Sequence, residues 1–294
     1  MRWYLLFTFI IMLPCLALTG CKNSAAKDKQ LVAQIPPEGG KVNPKDGAAM
    51  VLIPAGEFLM GMSEADIADF KKKHPNVKPS EFESETPQRK VMLDSYYIYQ
   101  YEVTVRQYRE FCQSTGIPMP KKPETRNFLR PWEWKDDNPI IGVRWYDALA
   151  YAEWAGAKLP TEAQWEKAAR GTDGRKYPWG NTVEKNVYAE NDFFTVWGHF
   201  GTRPVGYLPD KSPYGVFDMA GNACEWCADW YDKSYYKTAP DNNPPGPEEG
   251  KTRVVRGGSW IRDFNSCSNR RATRPSYTDM DIGFRCVMKV DQGL

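Results

Sequence analysis

From Tyr214 to Trp230 the sequence reads Tyr-Gly-Val-Phe-Asp-Met-Ala-Gly-Asn-Ala-Cys-Glu-Trp-Cys-Ala-Asp-Trp. After a Pro- and Gly-rich excursion it continues Arg-Val-Val-Arg-Gly-Gly-Ser-Trp, ending at Trp260. The carboxylates Asp218 and Glu225, the glycines Gly215 and Gly221, the cysteines Cys224 and Cys227 and the tryptophans Trp226 and Trp230 stand closer together than ordinary core sequence requires. Any fold the chain adopts must place this mixture around a turn, because Gly221-Asn222 is a turn signal. A backbone bending there can direct carbonyls inward beside carboxylates, the oxygen set that calcium prefers. The other reading is a buried aromatic loop in which Asp218 and Glu225 accept backbone N–H bonds, since Asp and Asn commonly serve as turn formers. Both stay open on the residues alone.

The N-terminus carries Arg2, an apolar run from Trp3 to Leu18, and then Leu18-Thr19-Gly20-Cys21. Small residues before a cysteine suit a signal peptidase and acylation of the thiol, so residues 1–20 read as a lipoprotein signal peptide and Cys21 as the lipidated first residue. A transmembrane helix is disfavoured, because Pro14 interrupts the run and it falls short of the roughly 20 apolar residues that cross a bilayer. Residues 21–47 are polar, mixed in charge and broken by Pro36-Pro37 and Gly39-Gly40, the composition of a flexible tether. The expected location is the cell envelope, lipid-anchored to a membrane and facing the periplasm or exterior.

Residues 48–290 suffice for one large domain. The whole chain's balance of 39 basic and 37 acidic residues leaves a net charge of +2, which offers no field for nucleic acid. Three helices are expected. One is capped by Thr104 with Gln107 and stopped at Gly116, one runs from Trp145 to Trp154, and one is capped by Thr161 with Gln164 and stopped at Gly171. Strands are expected at Ala49–Ile53, Phe58–Gly61, Val91–Ile98, Arg253–Gly257 and Ile282–Val290. The intervals 115–141, 177–205 and 233–250 show no periodicity, and irregular stretches of that length in a compact domain usually carry function or a bound ion.

With Cys15 removed and Cys21 acylated, Cys112, Cys224, Cys227, Cys267 and Cys286 remain, an odd number, so at least one stays unpaired within the chain. Cys224-x-x-Cys227 lies in a Gly-Asn loop rather than at a helix start, which argues against a redox pair. The two histidines, His74 and His199, lack zinc-ligand spacing. Ser259 has no plausible histidine base.

Taken in order, Ile53-Pro-Ala-Gly-Glu-Phe-Leu-Met-Gly61, Tyr101-Glu-Val-Thr-Val105, Val143-Arg-Trp-Tyr-Asp-Ala148, Lys158-Leu-Pro-Thr-Glu-Ala-Gln-Trp-Glu166, Tyr177-Pro-Trp-Gly-Asn181, Tyr214 to Trp230, Arg256-Gly-Gly-Ser-Trp260 and Gly283-Phe-Arg285 resemble the formylglycine-generating enzyme (sulfatase-modifying factor) family. The resemblance implies an α+β domain with little regular secondary structure, related in architecture to C-type lectin folds. It also implies a calcium site at Asp218, Glu225 and the carbonyls of Gly221 and Ala223. A weaker one falls at Glu190 and the Asn191 carbonyl, where Trp197 and His199 replace an aspartate and an aromatic carbonyl.

The family's oxidase chemistry uses two cysteines five residues apart that hold copper(I). Here the second is Cys267 and the first is Arg262. Copper(I) favours thiolates and a guanidinium is no ligand, so the paired site is broken and copper is not expected. Ser259, which positions substrate in the family, is retained. Two states of Cys267 stay open: a thiolate favoured by Arg262, or a disulfide with Cys227 or Cys224.

The resulting expectation is a lipid-anchored, extracytoplasmic, calcium-stabilised domain that has lost copper-dependent oxidation and acts in binding or envelope assembly on a protein or glycan partner. The alternatives are an active enzyme oxidising a cysteine or serine of a sulfatase-type partner through Cys267 and Ser259, and a lectin-like binding module.

Overall fold

Periodicity of two along two buried strands organises the architecture. In the computed structural model, β2 (Ala49–Ile53) sends Met50 into one hydrophobic cluster and Val51 and Ile53 into another, and β5 (Tyr96–Tyr99) divides Tyr97 and Tyr99 from Tyr96 and Ile98 in the same way. Successive side chains leave a strand on opposite faces. A strand buried on both faces therefore joins two cores instead of separating core from solvent.

The structure describes residues 37–290 except 74, 77, 79, 81, 124–131, 183–200, 208–209 and 262–265. The chain divides into two compact units, Met1–Ala33 and Gln34–Leu294, of which the first lies outside the described residues together with Cys21. Among the described residues no helix is long and apolar enough to cross a membrane.

The antiparallel sheet β1-β2-β5-β10 uses β1 (Lys41–Val42) and β10 (Val287–Lys289) as its edges. A two-stranded ribbon pairs β3 (Gly56–Met60) with β4 (Arg89–Leu93). The second four-stranded sheet runs β8-β7-β6-β9, from β8 (Arg270–Thr273), β7 (Arg253–Arg256), β6 (Cys224–Trp230) and β9 (Ile282–Gly283), with β9 parallel to β6.

Helix α1 (Glu64–Lys73) carries little amphipathic signal and was not expected. The other three match the expected segments: α2 (Val105–Thr115), α3 (Trp145–Trp154) and α4 (Glu162–Arg170). Both predicted capping boxes form. The Thr104 and Thr161 hydroxyls accept the amides of Gln107 and Gln164, and those glutamine side chains accept the threonine amides in return. Gly116 ends α2 at φ 77°, in the left-handed conformation that glycine adopts without a Cβ clash.

Four expectations need correction. Val91–Ile98 is two strands in different sheets, and Ile282–Val290 likewise divides between β9 and β10. Residues 37–47, assigned to the tether on composition, belong to the fold. β1 pairs with β2, Asn43 is 1% exposed, and the Asp46 carboxylate accepts the hydroxyls of Tyr99 and Tyr151 at 2.7 and 2.6 Å. Polar residues there are consumed by buried tyrosines, which composition cannot reveal. The Cys224–Trp230 segment, read as a loop, is strand β6, buried on both faces and carrying a register irregularity between Trp226 and Trp230.

Candidate functional site

Two left-handed residues shape the turn before β6: Asp218 at φ 61° and Asn222 at φ 63°. Asp and Asn tolerate this region better than other non-glycine residues. The Asn222 side chain accepts the Arg203 amide at 2.9 Å and donates to the Arg203 carbonyl at 3.3 Å, clamping the turn to a neighbouring strand of chain. Asp210 adds a second clamp, its two oxygens accepting the amides of Asp218 and Ala220 at 2.9 and 3.3 Å.

Four carboxyl groups converge behind this turn, from Glu102, Asp210, Asp218 and Glu225, all buried, together with the buried guanidinium of Arg285. Asp218 accepts the Gly206 amide at 2.6 Å, as the buried-loop reading expects of it. Glu225 does not follow that reading, since its donors are side chains. Arg285 grips both of its oxygens at 2.7 Å and the Trp165 indole N–H donates at 2.8 Å. Glu102 accepts the Ala223 amide at 3.2 Å. Burial, then the neighbouring Asp210, pushes Asp218 up to about 8. Burial raises Asp210 to about 6, and burial with the charge of Asp218 holds Glu102 well above the usual carboxylate range.

Among the described residues, no group of three or more His, Cys, Asp and Glu side chains is arranged to hold a metal, so a cation here would draw on main-chain carbonyls as well. The resemblance names Gly221 and Ala223 as their source. Glu190 and Asn191 lie outside the described residues, as do Trp197 and His199.

The Gly-Gly-Ser turn follows β7, which pairs with β6. Gly257 takes φ 76°, and a Cβ there would stand 3.2 Å from the Trp165 ring and 3.3 Å from the Met219 carbonyl oxygen. The buried Ser259 hydroxyl donates to Asp281 Oδ2 at 2.9 Å, and the Cys224 thiol to the Gly257 carbonyl at 3.3 Å and to the same Asp281 oxygen at 3.8 Å. A carboxylate thus stands where a histidine base was sought.

All five described cysteines are free thiols. Spacing of three along β6 sends Cys224 and Cys227 into different hydrophobic clusters, which explains why they form no pair. Cys267 is fully buried, its amide donating to the Lys176 carbonyl at 2.8 Å. Burial pushes its thiol up to about 12, outweighing the guanidinium groups of Arg170, Arg256 and Arg175. The disulfide considered for Cys267 is not formed. Arg262 lies outside the described residues.

Beneath Cys267 runs an ionic network that the sequence did not announce. Arg256 bonds Glu166 at 2.5 Å and the Cys267 carbonyl at 2.7 Å, while Arg270 grips both oxygens of Glu162 at 2.8 and 2.6 Å. Glu166 also accepts the Gly61 amide at 2.7 Å. Buried charge in this quantity persists only when paired and hydrogen-bonded, and here it fixes the backbone that carries Cys267.

Residues 38–290 match the sulfatase-modifying factor enzyme 1-like domain. The chain belongs to this family. It is 30% identical to the formylglycine-generating enzyme of Bos taurus over 304 aligned positions, covering 84% of this chain and 76% of that enzyme. It is 34% identical to the serine/threonine-protein kinase pkn1 of Chlamydia pneumoniae over 261 positions, covering 82% of this chain but only 38% of the kinase. In three dimensions it resembles PvdO from Pseudomonas aeruginosa, with a TM-score of 0.70 and 25% identity over 87% of this chain and all of PvdO. The family fold is therefore the one expected, α+β with modest regular structure.

Proposed function

We propose that this sulfatase-modifying-factor domain is a lipid-anchored, extracytoplasmic binding module, calcium-stabilised, that no longer performs copper-dependent oxidation. The observation that carries the reading is the state of the cysteine position. Arg262 occupies the place of one thiolate, and the remaining thiol, Cys267, is fully buried and held protonated, pushed up to about 12. Copper(I) needs soft, deprotonated sulfur ligands, so the residues present do not fit it. An envelope protein or glycan is the partner class in keeping with a lipidated Cys21 and a near-neutral charge balance.

The test is an aldehyde assay on a sulfatase-type cysteine peptide with copper(I) and oxygen supplied. No aldehyde is expected, and Arg262→Cys is expected to confer copper(I) binding measurable by competition with a chromogenic chelator. Aldehyde formed by the unaltered chain and lost in Cys267→Ala overturns the proposal. It would favour the second reading, an active protein-modifying enzyme, which the 30% identity to a formylglycine-generating enzyme supports.

A further inference from the structure

A planar guanidinium presents one edge, Nε with Nη2, that grips a carboxylate through two parallel hydrogen bonds. Arg270 uses this edge on Glu162, and Arg285 uses it on Glu225. Arg253 is placed differently. Its guanidinium lies between two indole rings, 3.8 Å from the Trp145 centroid and 3.4 Å from that of Trp230. Nη1 donates to the Ala228 carbonyl at 2.5 Å, the one hydrogen bond of this side chain among the described residues, and the Nε–H is buried without an acceptor. The gripping edge is therefore unused.

Among the described residues no carboxylate pairs with Arg253. Asp229 acts on it from a distance, but its Oδ2 accepts the Glu162 amide at 2.8 Å, and burial holds Asp229 well above the usual carboxylate range, so it brings little negative charge. The sheet register adds a second arginine. Arg253 stands opposite Thr273 and Val255 opposite Arg271, so the two arginines leave neighbouring strands on the same face. Arg271 repeats the pattern: its Nε and Nη2 are buried without an acceptor, and its Nη1 reaches Asp281 only at 3.6 Å. The start of α3 borders this face. Tyr146, 51% exposed, stands edge-on to Trp145 with ring centroids 5.5 Å apart, and the Trp145 amide donates to the Pro275 carbonyl, which ties in the loop bearing the exposed Tyr277.

We propose that this face docks an acidic peptide segment of a protein partner, one carboxylate of which is held by the Nε–Nη2 edge of Arg253 between Trp145 and Trp230, with Arg271 as a second positive charge and Tyr146 at the rim. Charge complementarity selects the acid, since two arginines on one face have unused edges and a buried donor without an acceptor is costly. A peptide is favoured over an acidic sugar. The indole faces turned toward the site are covered by the guanidinium itself, which leaves an edge for a carboxylate on a flexible side chain and no indole face on which a sugar ring could stack. The assignment rests on the binding reading given above for its partner, and not on the state of Cys267.

The test is fluorescence anisotropy with the full-length chain, extracted in detergent, and a fluorescein-labelled peptide of alternating Glu and Gly. The matching Gln-Gly peptide and a labelled galacturonate oligomer are run beside it. Saturable binding of the Glu-Gly peptide alone is expected. Arg253→Lys, which keeps the charge and loses the fork, should weaken it at least about tenfold, whereas Lys251→Gln, at an exposed neighbouring position, should keep it within about twofold. If Arg253→Lys fails to fold, Tyr146→Ala, at an exposed position, decides in its place, with weaker binding expected and parent-like binding counting against the site. Equal binding by the parent and Arg253→Lys means a diffuse charge effect and overturns the site. Tighter binding of galacturonate, lost in Arg253→Lys, overturns the peptide assignment. A parent that binds none of the three overturns the docking face alone, because the binding reading falls only if the unaltered chain forms aldehyde.

Discussion

Arg285→Met exposes what the buried ion pair does. The substitution leaves the Glu225 carboxylate, fully buried, with a single donor from Trp165, and strips the carbonyls of Tyr99, Gln100 and Phe217 of theirs. Breaking one side of a buried pair costs about 3–5 kcal/mol, and a buried acceptor left unmatched costs about 1 kcal/mol or more. These contributions are not additive, so about 5 kcal/mol is expected. For a domain of this size each kcal/mol moves the melting temperature by about 2–4 °C, which predicts a fall of about 10–20 °C by circular dichroism. The cycle is run in chelator so that no cation contributes. Most of the cost is the uncompensated charge, so Arg285→Met combined with Glu225→Gln should recover about 2–3 kcal/mol relative to the sum of the two single variants. Additivity within about 0.5 kcal/mol would show that the carbonyl contacts, not the charge pair, carry the stabilisation, and would refute the reasoning.

Gly257→Ala should destabilise by about 1–3 kcal/mol, read as the urea midpoint, because it adds left-handed strain and a methyl group 3.2 Å from Trp165. Lys167 is a buried ammonium whose hydrogen bonds run to the Pro54 and Gly56 carbonyls at 2.8 Å, and burial lowers it to about 8. The unfolded lysine keeps its proton up to the ordinary 10.5. The native state thus binds fewer protons between those values, and the contribution of Lys167 to stability rises with pH across that window. Thermal melts at pH 8 and pH 10 should show the parent gaining on Lys167→Met, and a constant difference would contradict this. Cys21→Ser should move the protein from the membrane to the soluble fraction, whereas retention after a salt wash would remove the anchor.

What the sequence disclosed and what it concealed divide along the range of the interactions. Thr104 with Gln107 and Thr161 with Gln164 are neighbours whose chemistry is complete within four residues, so the caps of α2 and α4 were legible. The break between β4 and β5 was not. It sits at Asp94, whose amide donates to the side chain of Asn243, 149 positions away. Burial on both faces also removes the apolar-polar alternation by which a strand is recognised, so Cys224–Trp230 read as a loop although it is the central strand β6.

The candidate site follows the same division, and its concealed part decides its chemistry. Asp218 and Glu225 stood out because they share one dense segment, and proximity in sequence suggested that they act together. The fold separates their roles: Glu225 is drawn to Arg285 and Trp165, and Asp218 is turned toward Glu102. Glu102 and Arg285 both lay inside the Tyr-Glu-Val-Thr and Gly-Phe-Arg phrases that carried the family resemblance, yet neither has a local reason to be singled out. Glu102 bonds the turn at the amide of Ala223, 121 positions away. Four carboxyls thus meet one guanidinium whose donors are all committed. That arrangement appears only when every donor of Arg285 has been assigned, and the sequence of the turn before β6 does not show it.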